Sequence, residues 1–480
     1  MSLITEYVIL SVLGTVIIAV MRLSWWRAWP LNVLMTPEFI SLKLQPSDTT
    51  NGKSTQDDIR RILKLADYHE TAARLADLIH KDGADSWPPR ANHVHSAWPV
   101  ALRPYKEIYR EMAPLLPAAN VSLDDELNRQ RIDSFRSRFE TLLHDRVNLK
   151  QVTQLLDAAD AGRWDVFPRD IYNAFYCCIA WCRHAYRWGT IPVVSPAQLE
   201  KSIALPPALT APWASLQAHF GLASDAGNMM SNIVLNFSPE GEYTHKINTG
   251  LSATVLGSEE EFARICNEME ALAVPVYHAV IRAVIAFSRG DKDDCLARMQ
   301  QITARLRPLL STYYDRVHDG KIARAEWLSR VQGFYAWGAG REDASTGEWT
   351  TFDGLSGNQV LLFQVLDAFL GLDVYLSKEV QERNVPVLQR EFCAAVARHT
   401  FRHALGEEGV DGLIRGEFAE IVKRLRLFRS AHRTRAKFYL TAPAPERLPM
   451  TAGKSLLKGD MDESLQFLDA FMVGRLQQTV

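Results

Sequence analysis

The sequence predicts an all-α, multi-helix protein. Apolar residues recur at three- and four-residue spacing through most of the chain, and strand-like alternation is scarce. Pro- and Gly-rich breaks at 190–213 and 338–357 fall between helical stretches. The first break is expected to separate a smaller N-terminal helical region, 55–190, from a larger one, 191–480. With 480 residues, 47% of them hydrophobic, the chain can bury a large core. A formal net charge of −2 supplies no basic face, so no nucleic-acid partner is expected. Six cysteines scattered through helical stretches do not form a disulfide pattern.

The N-terminus departs from this pattern. Tyr7 to Met21 carries no charge, and Arg22, Trp25, Trp26, Arg27 and Trp29 follow. A secretory signal would begin with basic residues and end at small ones. Here residues 1–29 read as a membrane-anchor helix with an interfacial tryptophan belt. Arg22 and Arg27 place the rest of the chain on the cytosolic side, with the endoplasmic reticulum a candidate membrane. Residues 30–54 read as a linker, with Pro30, Pro37 and Pro46 ahead of the run SDTTNGKST. Helical periodicity then runs from Thr55 to near Gly83. It returns at 122–145, 168–187, 258–289, 292–317, 357–373, 386–405, 412–440 and 461–473. VVSPA and the stretch near 231–256 are the only places where a strand is considered.

Several segments invite a chemical reading and lose it. AGKS at Ala452–Ser455 has Leu448 where a phosphate loop needs glycine. Cys177, Cys178 and Cys182 sit on a hydrophobic helix, where free cysteine is ordinary core. His93 and His95 lie in a Pro- and Trp-containing loop and are assigned to packing or surface. His399 and His403 are four apart on a helix, a metal-ligand spacing, but Arg398 and Arg402 flank them and repel a cation.

Two segments keep their interest. In RLRLFRSAHRTRAKFYLTAPA, Leu425, Phe428 and Ala431 form an apolar stripe beside His432, which turns that face inward. A neutral imidazole entering a pocket is what a five-coordinate haem iron requires. Arg429, one turn earlier, suits a propionate. In TFDGLSGNQVLLFQVLDAFLGL, Gly354, Ser356 and Gly357 open an apolar helix with small residues that let a flat ligand approach. Asp367 is a carboxylate inside that helix and needs a partner if buried, for which Arg429 is the candidate. On residues alone, a loop followed by a core helix explains this second segment equally well.

Together these segments resemble the indoleamine 2,3-dioxygenase family. GLSGNQVLLFQVLDAFLGL and FRSAHRTRAKFYLTAPA match its small-residue turn and its proximal-histidine segment. AYRWG, IALPPAL and GSEEEFARICNEMEA match three upstream segments in order. The resemblance implies an all-helical haem b protein that uses O2 to open the indole C2–C3 bond of tryptophan or a related indole. It implies His432 as the axial iron ligand, Arg429 at a propionate and Asp367 supporting that arginine. Phe262 would pack against the indole, with Cys266 one turn on, and Ser356 and Gly357 would line the pocket. Arg330 would be the partner of a substrate carboxylate, and Ser455 the hydroxyl of a closing loop.

The chain departs from the family pattern in three places. Cys266 stands where many members have serine, Arg330 is not at the family's distance from Trp337, and TAGKS is a sparse version of the closing loop. These departures point to a modified or decarboxylated indole. They also leave open a membrane-anchored tailoring enzyme of secondary metabolism that rearranges or monooxygenates an indole, as a relative in pyrrolnitrin biosynthesis does. A haem-free helical binding protein is the alternative from a different class.

Overall fold

A computed structural model describes residues 49–117, 121–343, 345–372, 376–448 and 461–480. The proposed anchor, 1–29, and the linker as far as residue 48 lie outside these residues. The first described helix, α1 (Thr49–Leu65), begins inside the stretch read as linker, because its backbone turns continue over the polar run ahead of Asp57. α2 (Glu70–Lys81) follows, so the one periodic segment expected up to Gly83 is two helices. The break is made by His69, whose extended backbone and Nδ1, accepting from the Thr71 amide at 3.2 Å, cap α2. Histidine is not among the usual capping residues, which hides this boundary from sequence.

The N-terminal region continues with α3 (Arg103–Met112), α4 (Asp125–Arg146), α5 (Leu149–Asp160) and α6 (Arg169–Trp188). Asp124 caps α4 by accepting from the amides of Glu126 and Leu127, and Asn148 caps α5. α3 and α5 are too short for their periodicity to stand out. α6 is buried from Ile171 to Trp188. The two arginines in that buried span are tolerated because Arg187 pairs with Glu200 at 2.8 Å and Arg183 donates to the Asp225 and Leu209 carbonyls.

α7 (Pro207–Phe220) precedes two long helices, α8 (Ala253–Ser288) and α9 (Lys292–Arg316), which pack along each other. α8 is the one described helix long and apolar enough to cross a membrane, but most of that apolar length is buried in the core. The break at 338–357 holds a small antiparallel hairpin, β1 (Gly340–Glu342) with β2 (Trp349–Thr351), which pairs Gly340 with Thr351. VVSPA runs into a short helix, Ser195–Gln198, and the β-pairing in the stretch near 231–256 is limited to an isolated bridge between Phe237 and Tyr243. α10 (Leu361–Leu370) ends on Gly371, whose φ of +66° closes the helix in the left-handed region. α11 (Val387–Arg398), α12 (Gly409–Leu440) and α13 (Met461–Gln478) complete the chain.

One hydrophobic cluster runs from Ile59 on α1 to Tyr439 on α12, so the two expected helical regions share a core within the unit Thr55–Val480. α12 packs on α9 and α13, and α10 packs on α8 and α11. The functional site lies among these six helices.

Candidate active site

A cavity of about 880 Å³ opens between α8, α9, α10, α11, α12 and α13, with the turn before α10 on its wall. Helical spacing explains which residues reach it. α10 presents Phe363, Gln364, Asp367 and Ala368, and α12 presents Phe428, Arg429, His432, Ala436 and Leu440. From α8 come Phe262, Ile265, Cys266 and Met269, two successive turns of one face.

His432 is the distinctive group on this wall. Burial alone holds its imidazole well below the usual histidine range, at about 4, so the ring is neutral at physiological pH. Tyr313 and Phe428 pack around it, with ring centroids at 5.3 and 6.2 Å. Neither ring nitrogen has a hydrogen-bond partner among the described residues. His432 is only partly exposed, and an imidazole inside a protein normally spends at least one nitrogen on a protein group. Here both remain for whatever fills the cavity, and a neutral imidazole nitrogen is a strong ligand for iron.

Arg429 and Asp367 meet as expected. Nη2 of Arg429 donates to the two carboxylate oxygens of Asp367 at 2.8 and 3.0 Å, and both side chains are close to nine-tenths buried. Arg429 also donates to the Thr479 hydroxyl. Asp367 accepts from a second arginine, Arg475 on α13, which lines the cavity too. Arg475 and Thr479 escaped the sequence reading because a basic residue near a helix C-terminus is ordinary. The usable signal was Phe471, Met472 and Arg475 on one face.

At the opposite chemical extreme, Phe262 stands in an aromatic wall, 5.5 Å from Trp327 and 6.0 Å from Tyr335. Burial pushes the Cys266 thiol up to about 12, so it is a neutral lining group and no nucleophile. Ser356 caps the short turn Gly357–Gln359, its Oγ accepting from the Asn358 side-chain amide at 3.1 Å. A Cβ placed on Gly357 would meet no protein atom within 4 Å, so the glycine leaves open space beside the cavity. The turn is fastened by Gln359, whose Oε1 accepts from the Met229 amide at 3.0 Å.

Arg330 does not reach the wall. It ends the helix Arg324–Arg330 and pairs backwards with Glu326 at 3.2 Å, while Trp327 takes the cavity position. The expectation that Arg330 meets the substrate is corrected accordingly. Ser455 lies outside the described residues. The other histidines and cysteines that drew notice sit elsewhere. His93 bonds the Leu235 carbonyl at 2.7 Å, His95 pairs with Glu107, and His399 pairs with Glu70. Cys177, Cys178 and Cys182 are buried on α6.

The arrangement can hold a flat, largely apolar molecule with an anionic edge against Arg429 and Arg475. It offers that molecule one neutral imidazole and provides no strong base on the aromatic side. Among curated proteins, none matches the chain. The family model for indoleamine 2,3-dioxygenase matches residues 170–467, well over half of the chain and all of the cavity's helices except most of α13. Members of that family are haem-dependent dioxygenases of tryptophan and related indoles. On this match the chain belongs to the indoleamine 2,3-dioxygenase family.

Proposed function

We propose that this protein binds haem b through His432 and inserts O2 into the C2–C3 bond of a tryptophan-derived indole. The observation that carries the proposal is the state of His432: neutral, shielded, and without a hydrogen-bond partner among the described residues, on the wall of a large, mostly apolar cavity. Haem, when bound, supplies the redox chemistry at iron that no side chain provides. The residues fit it. His432 would ligate the iron, Arg429 would pair with a propionate while Asp367 fixes its fork, and the open space at Gly357 would admit a ring edge.

The chain's own part is to position the indole and exclude water. Phe262 stacks against the indole plane, Cys266 fills the floor beside it, and Ser356 offers a hydroxyl at the rim. None of the three takes a proton, in keeping with a reaction that is driven by orientation and cofactor. Because Arg330 is not on the cavity wall, the substrate we favour lacks a free α-carboxylate, as a decarboxylated or esterified tryptophan would. The same feature supports the second reading, a tailoring step of secondary metabolism that rearranges or monooxygenates such an indole. The apolar N-terminal segment would tether this chemistry to a membrane with the helical body in the cytosol.

The test is to supply the reduced, haem-loaded protein with O2 and, in turn, tryptophan, tryptamine and indole, and to weigh the products. A gain of two oxygen atoms on tryptamine or indole supports dioxygenation of a substrate without the carboxylate. A gain of one oxygen, or a rearranged isomer, would favour the tailoring reading. Wild-type protein that shows no Soret band with added haem rejects both.

A further inference from the structure

The cavity's cationic edge is built from more of the chain than the family match covers. That match ends at residue 467, yet Arg475 and Thr479 lie beyond it and close the same corner. Arg475 is 7% exposed, lines the cavity, and donates through Nη2 to Oδ2 of Asp367, the carboxylate that also receives Arg429. Thr479 is fully buried between the two arginines. Its hydroxyl accepts from Arg429 and donates to the Arg475 carbonyl at 2.9 Å. The segment is fastened from outside as well, since Arg426 donates to the Thr479 carbonyl at 2.8 Å and Arg402 to the Val480 carbonyl at 3.0 Å. Phe471 and Met472, one turn before Arg475, complete an apolar cover on the cavity.

Two guanidiniums sharing one carboxylate sum to a net positive charge within that triad. A positive corner in a largely apolar cavity selects a ligand that is anionic on one side, and haem carries two carboxylates on one edge. We propose that Arg475 is a second positioning residue for the cofactor's carboxylates, and that α13 is a latch which must be seated for haem to stay bound. This rests on the reading of the cavity as a haem site. Asp367 sets the direction of both forks, so the clamp is a unit of three side chains drawn from α10, α12 and α13.

The test measures haem release from the holoprotein to excess apomyoglobin, together with the Fe(III)/Fe(II) midpoint potential, for wild type, Arg475→Leu and Arg475→Lys. Release is expected to be about tenfold faster in Arg475→Leu and intermediate in Arg475→Lys, which keeps the charge but loses the fork. The potential of Arg475→Leu is expected to move to more negative values, because a cation near the iron favours the reduced state. A merely structural arginine would not shift it. Holoprotein that releases haem at the wild-type rate with an unchanged potential in Arg475→Leu overturns this proposal alone. Should that variant fail to fold, wild-type release in Arg475→Lys overturns it instead. Wild-type protein that takes up no haem overturns the haem reading together with this one.

Discussion

Two histidines with the same depressed pKa show how function separates from packing at the scale of one residue. Burial holds both His184 and His432 at about 4. His184 is bonded at both nitrogens, to the Phe334 carbonyl at 2.9 Å and the Gly227 amide at 3.3 Å, which requires one neutral tautomer. His432 is bonded at neither among the described residues. The expected consequences differ. His184 has a folded pKa below its unfolded value of 6.5, so the unfolded chain binds the proton first. Its contribution to stability is full above about pH 6.5 and is lost as pH falls toward 4, by at most on the order of 3 kcal/mol. Denaturation of wild type and His184→Gln at several pH values should show their stability difference shrinking over that window and constant above it. A difference that does not change with pH removes His184 from the account. His432→Ala should leave the fold intact, because no hydrogen bond to a described residue is lost. Its haem affinity should fall by more than the roughly 10–100-fold that loss of an outer partner costs. Imidazole added to the variant should restore part of the Soret signature, and wild-type haem affinity in the variant would end the assignment.

Among the elements, the turn Gly357–Gln359 and the helices α10 and α12 make the site, and they respond differently to substitution. The space beside Gly357 belongs to the ligand and not to packing, so Gly357→Leu is expected to change the stability of the haem-free protein by no more than about 0.5 kcal/mol. It should nevertheless block or sharply slow haem uptake, measured by titration. Normal uptake would mean that the open space faces bulk solvent. How much of this was legible in sequence follows from the same geometry. His432, Arg429, Asp367, Phe262, Cys266, Ser356 and Gly357 all reach one cavity because each sits on a helical face or turn whose spacing sequence displays. Arg475 comes from α13 and meets Asp367 across 108 residues, a contact that no local pattern encodes. Arg330 fails for the reverse reason. Its chemistry suited a carboxylate, but a partner one turn earlier on its own helix, Glu326, took it. The split between α1 and α2, and the hairpin after Trp337, were hidden by a histidine cap and by a break rich enough in turn residues to pass as loop.

For the whole molecule, the question is how a cavity built by the C-terminal helices depends on the N-terminal region, and Glu270 supplies the answer. Its buried carboxylate on α8 accepts from Trp87 Nε1 at 2.9 Å, from the Tyr277 hydroxyl at 2.9 Å and from the Leu362 amide at 3.2 Å. Burial raises its pKa, and these hydrogen bonds are what favour the ionised form. Leu362 belongs to the first turn of α10, whose amides have no partner within the helix. Glu270 therefore fixes the start of the helix that carries Phe363 and Asp367, and Trp87, fully buried in the N-terminal region, helps to hold Glu270 in place. Glu270→Ala strands three buried donors and is expected to cost about 3 kcal/mol or more. Trp87→Phe removes one donor, keeps most of the ring volume, and should cost about 1 kcal/mol. Although Trp87 does not line the cavity, its variant should also release haem faster than wild type, because α10 is less firmly placed. The double variant should lose less stability than the sum of the two, since both remove the same bond. Strictly additive losses, with wild-type haem release in Trp87→Phe, would show that the N-terminal region shares the core without supporting the site.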